Sequence, residues 1–575
     1  MKKVLFLALV AAIAVTACQK DSIYDDSSAT NTTVDENGGK VDQEDLTDSD
    51  DNVANTTFAR TISITWSENG ATKSGDDNNV VSISGTQVTV NNTTTSEKVM
   101  YVLSGTCSNG FFKVYSNNKQ AFKLNGLSLT NPSGAAINNQ GKKRCFIIVE
   151  GTNTLADGSS YTATPADEDE KAAFFSEGQL IFSGSGSLTV TATGKAGITS
   201  DDYIRFMDAP IVKVSSSAGH GVRGKDAIYV SGGTVEASVS ANMKKGFSSD
   251  SLVRFDAGST TIKVTGSAAY DSEDKELTGS AGIKADQLVE MAGGTVVITN
   301  TGAGGKGISC DGPGKFAGGS LTVKVSGNNY GSSSNSVSAK GMKFDGNLYF
   351  SGASVIVTAT AHEAIESKGG IVISSGEVYA TSSQDDAINS ALDMVVNGGY
   401  VYANSSGNDG MDANGDMKLS GGVVFAITTK GSPEVALDAN TEQRHALYIN
   451  SGATVIAYGG LESGYSASQT VYSMSASAGN WNALYNGSSF IAAFKAPSGL
   501  SNFAVSAPSL SQGYTGVSVS GSTCANGTLA ASGISGGSAV SLSTYSGNGG
   551  GGNPGGGGPG GGGPGGGGGR PGGGW

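Results

Sequence analysis

From residue 173 onward the sequence returns to one short pattern about every 24 residues. A Gly or Ala is followed by an apolar residue, then two residues later by a small one. A middle apolar pair, a Gly-rich turn and a final β-rich run complete the unit. Units start at Ala173, Gly197, Gly221, Gly246, Gly282, Gly307, Gly341, Ala364, Ala387, Gly410 and Ala436, with steps of 24, 24, 25, 36, 25, 34, 23, 23, 23 and 26 residues. Each unit holds three short strand-like runs, and no segment sustains helical periodicity. A unit this small cannot bury its apolar side alone, so units must stack, at about 4.8 Å per rung, and pair backbones along the stack. The pattern predicts an all-β chain: a right-handed single-stranded parallel β-helix (solenoid) of about 24-residue coils, capped at both ends. A β-propeller blade runs to about 40 residues with four strands, which does not fit, and a β-sandwich gives no reason for a fixed period. The stack should turn inward the apolar column Phe174, Ile198, Val222, Phe247, Ile283, Ile308, Met342, Ile365, Ile388 and Met411. The small column Ser176, Ser200, Gly224, Ser249, Ala285 and Cys310 should also face in.

What flanks the repeat has a different composition. Lys2, Lys3 and the apolar run Val4–Ala14 read as a signal peptide (1–17), and Val15-Thr16-Ala17-Cys18 reads as a lipobox with Cys18 as the lipidation site. Residues 18–57 read as an acidic, disordered tether, with eleven Asp and Glu against two Lys. Residues 58–135 are expected to form an N-terminal cap and first coils, 136–460 the repeats, and 461–545 a C-terminal cap or small β region. In that last region Trp481, Phe490 and Phe494 would cover the open strand edges. Residues 546–575 form a Gly/Pro-rich tail without the collagen period, read as disordered. A net charge of −14 argues against nucleic acid or anionic lipid as partner. With Cys18 set aside, Cys107, Cys145, Cys310 and Cys524 are too few for a disulfide framework. A Cys107–Cys145 bridge and buried free thiols both remain open.

The serial G-I-x-S/A-x-D coils with Gly-Gly turns, and the run VEGTNTLADG (Val149–Gly158) after the AINN coil (Ala136–Asn139), resemble the bacterial carbohydrate-binding domain-containing proteins. That family is calcium-binding and pectate-lyase-like in fold, and the resemblance spans about residues 60–460. It implies binding of polysaccharide, acidic pectic polymers included, with Ca²⁺ held at turns. The acidic stretch directly after Cys18 resembles the surface-export signal of Bacteroidetes lipoproteins.

Two acidic columns carry the sharpest chemical signal. One residue before the coil start stand Glu363, Asp386 and Asp409; two after it stand Glu366, Asn389, Asp412 and Asp438. Stacked at rung spacing, bare carboxylates about 5 Å apart repel by roughly 3 kcal/mol at an effective dielectric near 20. A cation between them is expected, and an all-oxygen donor set suits Ca²⁺. A second ladder, Glu177, Asp201, Asp250, Asp286, Asp311 and Asp345, has Lys225, Lys245, Lys284, Lys306, Lys340 and Lys343 interleaved and reads as a neutralised surface. Three insertions, Asp157–Lys171, Gly266–Ser280 and Ser326–Ala339, enter at one corner of the coil, and each carries one tyrosine: Tyr161, Tyr270 and Tyr330. Loops gathered on one edge suit a binding face, and flat polar-rimmed rings suit sugar stacking.

No catalytic residue is expected: His220, His362 and His445 lack metal-ligand spacing, and no nucleophile elbow or phosphate loop occurs. Lys343 and Lys368 are the nearest bases for a lyase. The expectation is a monomeric lipoprotein, anchored to the outer membrane and cell-surface exposed, that binds acidic polysaccharide with calcium. A polysaccharide lyase on the same fold and an adhesin without sugar ligand are the alternatives.

Overall fold

In the computed structural model, residues 34–41, 48–162, 165, 168–332, 335–520, 528–529 and 533–547 are described. The signal segment, Cys18, most of the tether, Cys524 and the tail from 548 lie outside the described residues. The protein is all-β: among the described residues the only helices are three single turns of 3-10 type.

The repeat sets the architecture. Each unit contributes one strand to each of three parallel ladders, and each strand pairs with its equivalent one unit later. In the first ladder Ala172–Ser176 pairs with Ala196–Ser200, which pairs with Val222–Gly224. In the second, Leu180–Gly184 pairs with Tyr203–Phe206, and in the third Ser187–Ala192 pairs with Ile211–Ser216. The first ladder is a 15-stranded sheet from Val81–Ser84 to Leu437–Ala439. The other two belong to one 30-stranded sheet. They are joined because Gln120–Asn131, Leu348–Ala359 and Ile371–Ser382 each run unbroken across both faces.

Both inward columns are observed. Phe174, Ile198, Val222, Phe247, Ile283, Ile308, Met342, Ile365, Ile388 and Met411 follow one another in register and are buried. Hydroxyls in the small column are satisfied by backbone: Ser176 and Ser200 Oγ both donate to Gly178 O, at 2.6 and 2.9 Å. The coil-initial glycines have a steric cause. A Cβ on Gly197, Gly221, Gly246, Gly282 or Gly307 would fall 2.4–2.7 Å from the carbonyl oxygen of the next coil's glycine. Cys107, Cys145 and Cys310 are buried free thiols, so the open question of a Cys107–Cys145 bridge resolves to thiols.

Antiparallel strands close both ends, where a parallel edge would otherwise stay unpaired. At the N-terminal end Gly70–Ser74 pairs antiparallel with Arg60–Ser67, over Trp66, Tyr101, Phe112 and Phe122, which pack ring to ring at 5.1–6.1 Å. At the other end Asn502–Ser506 pairs antiparallel with Thr454–Tyr458. The C-terminal region does more than cover an end. Phe494 and Phe503 reach the outer flank of the coils at Phe425, centroids 5.5 and 6.0 Å away. Trp481 and Phe490 belong instead to that region's own small core, around Ala483 and Ala493.

One part of the acidic stretch departs from the expectation of a free tether. Residues 48–58 lie against the early coils: Asp51 is buried, and Val53 and Phe58 pack on Ala121, Phe146 and Ile181. Their acidic side chains meet arginines on the coil surface, a contact that composition alone does not reveal.

Candidate functional site

In each first-ladder strand the apolar and small residues point inward, so the residue between them points out. Register stacks these outward residues as Arg223, Ser248, Lys284, Ser309, Lys343, Glu366, Asn389, Asp412 and Asp438. The residue preceding each coil start forms a neighbouring column. Gly307, Gly341, Ala364 and Ala387 donate their N–H to the carbonyls of Lys340, Glu363, Asp386 and Asp409, placing those four on successive rungs. Both columns change from basic to acidic at the same step, between the coil of Lys340 and Lys343 and that of Glu363 and Glu366.

The basic half is mostly neutralised by the ladder beside it. Lys171 bridges Asp169 and Asp201, Arg223 meets Asp250, Lys284 meets Asp286 and Asp311, and Lys343 meets Asp345. Lys245 differs: it donates to Met243 O at 2.6 Å. Burial, with Lys244, Lys284 and Lys306 nearby, brings its pKa down to about 8. Neither candidate base stands poised for proton abstraction. Lys343 is paired at 2.9 Å, and Lys368 lies 3.8 Å from the same Asp345.

The seven residues expected around a metal divide into two groups. Glu363 and Glu366 are held by the buried Lys340, whose Nζ lies 3.4 and 2.7 Å from their Oε2 atoms. His362 Nδ1 also contacts Glu363, and lies 2.8 Å from Asp385 Oδ2. Burial alone would push Glu363 up, but Lys340 and His362 outweigh it and hold the carboxyl at about 2. Burial likewise opposes charge on His362, yet Asp385 and Glu363 raise it to about 9, so it is an imidazolium at neutral pH. The sequence reading placed Glu363 and Glu366 with the metal ligands; a buried ammonium and an imidazolium already balance them.

Asp386, Asn389, Asp409, Asp412 and Asp438 form the second group. Asn389 Nδ2 donates to Asp386 Oδ2 at 3.1 Å and to Asp412 Oδ2 at 3.0 Å. Asp386 Oδ1 accepts from Asp409 N–H, and Asp409 Oδ1 accepts from Val435 N–H. No basic side chain forms an ion pair with these four aspartates among the described residues. Burial, then the neighbouring carboxylates, pushes Asp386 well up and Asp412 to about 7. Burial also takes Asp409 to about 7, and Asp438, which hydrogen-bonds Glu462, to about 10. Such carboxyls resist ionisation together unless a cation joins them.

Asp385, His362 and Glu462 were missed as participants. Glu462 was legible by continuing the column one coil, since Leu437 bridges Leu461 and so sets Asp438 beside Glu462. Among described groups with three potential ligand atoms mutually within 4.8 Å are His362, Glu363 and Asp385, and Asp169, Glu177 and Asp201. The second is bridged by Lys171.

The insertions do leave one corner, between third- and first-ladder strands. Four rung steps separate Ala172–Ser176 from Ala281–Ala285, and two more reach Met342–Phe344. The second and third insertions form the hairpins Ala269–Asp271 with Glu276–Thr278 and Tyr330–Ser332 with Asn335–Val337. Tyr270 is exposed and Tyr330 half-buried. Tyr161 is engaged within the chain: its hydroxyl donates to Asp157, and Lys195 Nζ sits 4.5 Å from its ring centroid. An open groove lined by Asn328, Asn329, Ala361, His362, Gln384 and Asp385 connects the third insertion to the acidic corner.

Ladders and corner together define an all-β repeat protein with a long, shallow, charge-graded face. The chain belongs to the carbohydrate-binding domain-containing protein family, whose pattern matches residues 84–251, 288–387 and 341–487. Among solved structures it is similar to a polysaccharide lyase-like protein from C. thermocellum, solved as a gadolinium derivative. The two share 21% identity with a TM-score of 0.38, over 45% of this chain and 97% of that one. No curated protein matches.

Proposed function

We propose that the protein is a surface lipoprotein whose coils form a right-handed parallel β-helix and bind acidic polysaccharide along the insertion edge, with Ca²⁺ at the corner of Asp386, Asn389, Asp409, Asp412 and Asp438. Right-handedness follows the strong preference of parallel crossover connections. The observation that carries the calcium reading is the group of four aspartates, Asp386 and Asp409 buried and Asp412 and Asp438 half-buried, without a basic counter-ion among the described ion pairs. Their donors are all oxygen, and Asn389 would present its amide oxygen on turning its side chain, a set suited to a hard cation. Bound there, Ca²⁺ would offset the stacked charge and offer free coordination positions to the carboxylates of a uronic-acid polymer. The protein's residues supply the rest. The groove from Asn328 to Asp385 leads from the third insertion to the corner, and Tyr270 and Tyr330 offer rings to sugar faces.

Insertions spaced roughly 19 and 10 Å apart along the stack suit a long linear ligand gripped by many weak contacts. Tyr270→Ala with Tyr330→Ala should weaken polygalacturonate binding on the order of tenfold while leaving the melting temperature within about 2 °C of the parent. Affinity electrophoresis against polygalacturonate and against a neutral polymer checks this; equal retardation of variant and parent removes the tyrosines from the site. Release of unsaturated uronides, seen by ultraviolet absorbance in the same samples, would replace simple binding with lyase activity.

Membrane attachment has its own test. Cys18→Ala should move the protein from the detergent phase to the aqueous phase and end labelling by palmitate, because one acylated residue anchors the chain. A variant that stays with the membrane counts against lipidation.

A further inference from the structure

The acidic residues 48–51 are seated in a site of a defined kind. Asp51, 2% exposed, lies between two guanidinium groups and a phenol. Arg144 Nε is 2.7 Å from Asp51 Oδ1, Arg205 Nε is 2.7 Å from Oδ2, and Tyr203 Oη donates to Oδ1 at 2.6 Å. Asp48 accepts from Arg144 Nη2 at 2.6 Å, and Asp50 accepts from Lys119 Nζ at 2.7 Å. Each guanidinium faces a different oxygen of the one carboxylate through its Nε, so both oxygens are met by positive charge. Both arginines are at least nine-tenths buried and fixed on coil strands or their edges.

The site opens one outward column of the second ladder. Register stacks Arg205, Tyr229, Arg254, Glu290, Lys315 and Tyr349 on successive rungs. The Arg205 guanidinium lies 4.1 Å from the Tyr229 ring centroid. At the far end, Gly38 and Gly39 lie against the Tyr349 ring, and Asn397 Nδ2 donates to Glu36 at 2.7 Å. Two parts of the same acidic stretch therefore lie against this column, one at Arg205 and one at Tyr349, while Glu290 between them pairs with Arg254 and Lys315.

We propose that Arg144, Tyr203 and Arg205 form a second carboxylate-binding site for uronic-acid polysaccharide, closed in this structure by the chain's own Asp51. The acidic segment stands in for the ligand. A uronate carboxylate offers the same planar, doubly accepting group, and its sugar ring would lie toward Tyr229. Because the segment is covalently attached, it competes at high effective concentration, so only a multivalent polymer displaces it. The site takes its ligand class from the acidic-glycan reading above but needs no calcium, which separates the two in experiment.

The full mature chain with Asp48→Asn, Asp50→Asn and Asp51→Asn should bind polygalacturonate about tenfold more tightly than the parent in excess chelator, since the closed fraction no longer reduces apparent affinity. Adding Arg144→Gln and Arg205→Gln should cancel the gain, and dextran should show none. A gain that survives loss of the arginines, or no gain in a folded triple variant, overturns the site. Loss of buried Asp51 can also disturb the early coils, so a second measurement uses the unaltered protein. Polygalacturonate, in chelator, should raise amide exchange across residues 48–57, while dextran and monomeric galacturonate leave it unchanged. Exchange that stays constant with saturating polymer overturns the proposal. If calcium-dependent binding fails while this chelator-resistant opening persists, the corner reading falls and this site stands.

Discussion

Calcium should stabilise the late coils, and removing it should make stability fall as pH rises. Without a cation, folded Asp409 and Asp412 keep their protons to about pH 7, and Asp438 to about 10, whereas the unfolded chain releases them near 3.8. Between those limits the folded state binds more protons than the unfolded one, so stability declines with rising pH from about 4 to at least 7. Ca²⁺ binds the ionised form and should flatten that decline. At one hundred times Kd it adds about 2.7 kcal/mol. Asp409→Asn with Asp412→Asn should abolish the response. It should also leave the protein at least as stable as the parent in chelator at pH 8, because it removes two carboxyls whose ionisation the fold opposes. Melting curves at pH 5 and pH 8, with and without calcium, together with elemental analysis of the purified protein, check this. Identical curves in calcium and chelator at pH 8 would sink the site.

The coil register was legible because it needs only two facts: a fixed step and a residue type that recurs at it. Ile198, Ile283 and Ile365 mark the inner column even across the 36- and 34-residue steps, since an insertion at a corner leaves the rung intact. The columns of acids were legible for the same reason. What the sequence could not supply was which charges offset which. Lys340 precedes its coil as Glu363 does, but only the stacking of one rung on the next sets its ammonium between Glu363 and Glu366. Nor does any local pattern connect Asp51 to Arg205, 154 residues away. A tether read by composition is solvated; its short last part meets two arginines and an apolar patch, and docks. Tyr161 was read with Tyr270 and Tyr330 because its insertion shares their corner, yet Glu168 of the same loop turns back to Tyr115 and draws it over earlier coils.

Lys340→Met should be among the most damaging single changes outside the apolar core. The lysine is 4% exposed, and its ammonium balances Glu366 and Glu363 where both are nearly as buried. A methionine fills much of the stem's volume but leaves Glu366 with no basic partner among the described ion pairs, while His362 still meets Glu363. Breaking a buried pair by removing one partner typically costs about 3–5 kcal/mol, more than the pair contributes when intact, because a buried charge is left uncompensated. In a stack of coils that loss is local, so amide exchange across residues 339–367 should report it before global melting does. The acid limb should change as well. Glu363 sits at about 2 in the folded protein against 4.5 ordinarily, so its contribution is complete above pH 4.5 and is lost as pH falls toward 2. Without Lys340 that loss should be smaller. Adding Glu366→Gln to Lys340→Met should recover most of the stability, since a neutral amide needs no counter-ion and His362 still serves Glu363. A single variant within about 1 kcal/mol of the parent by denaturant titration, or a double variant no better than the single, would mean that water reaches these carboxylates and the lysine does not hold the corner together.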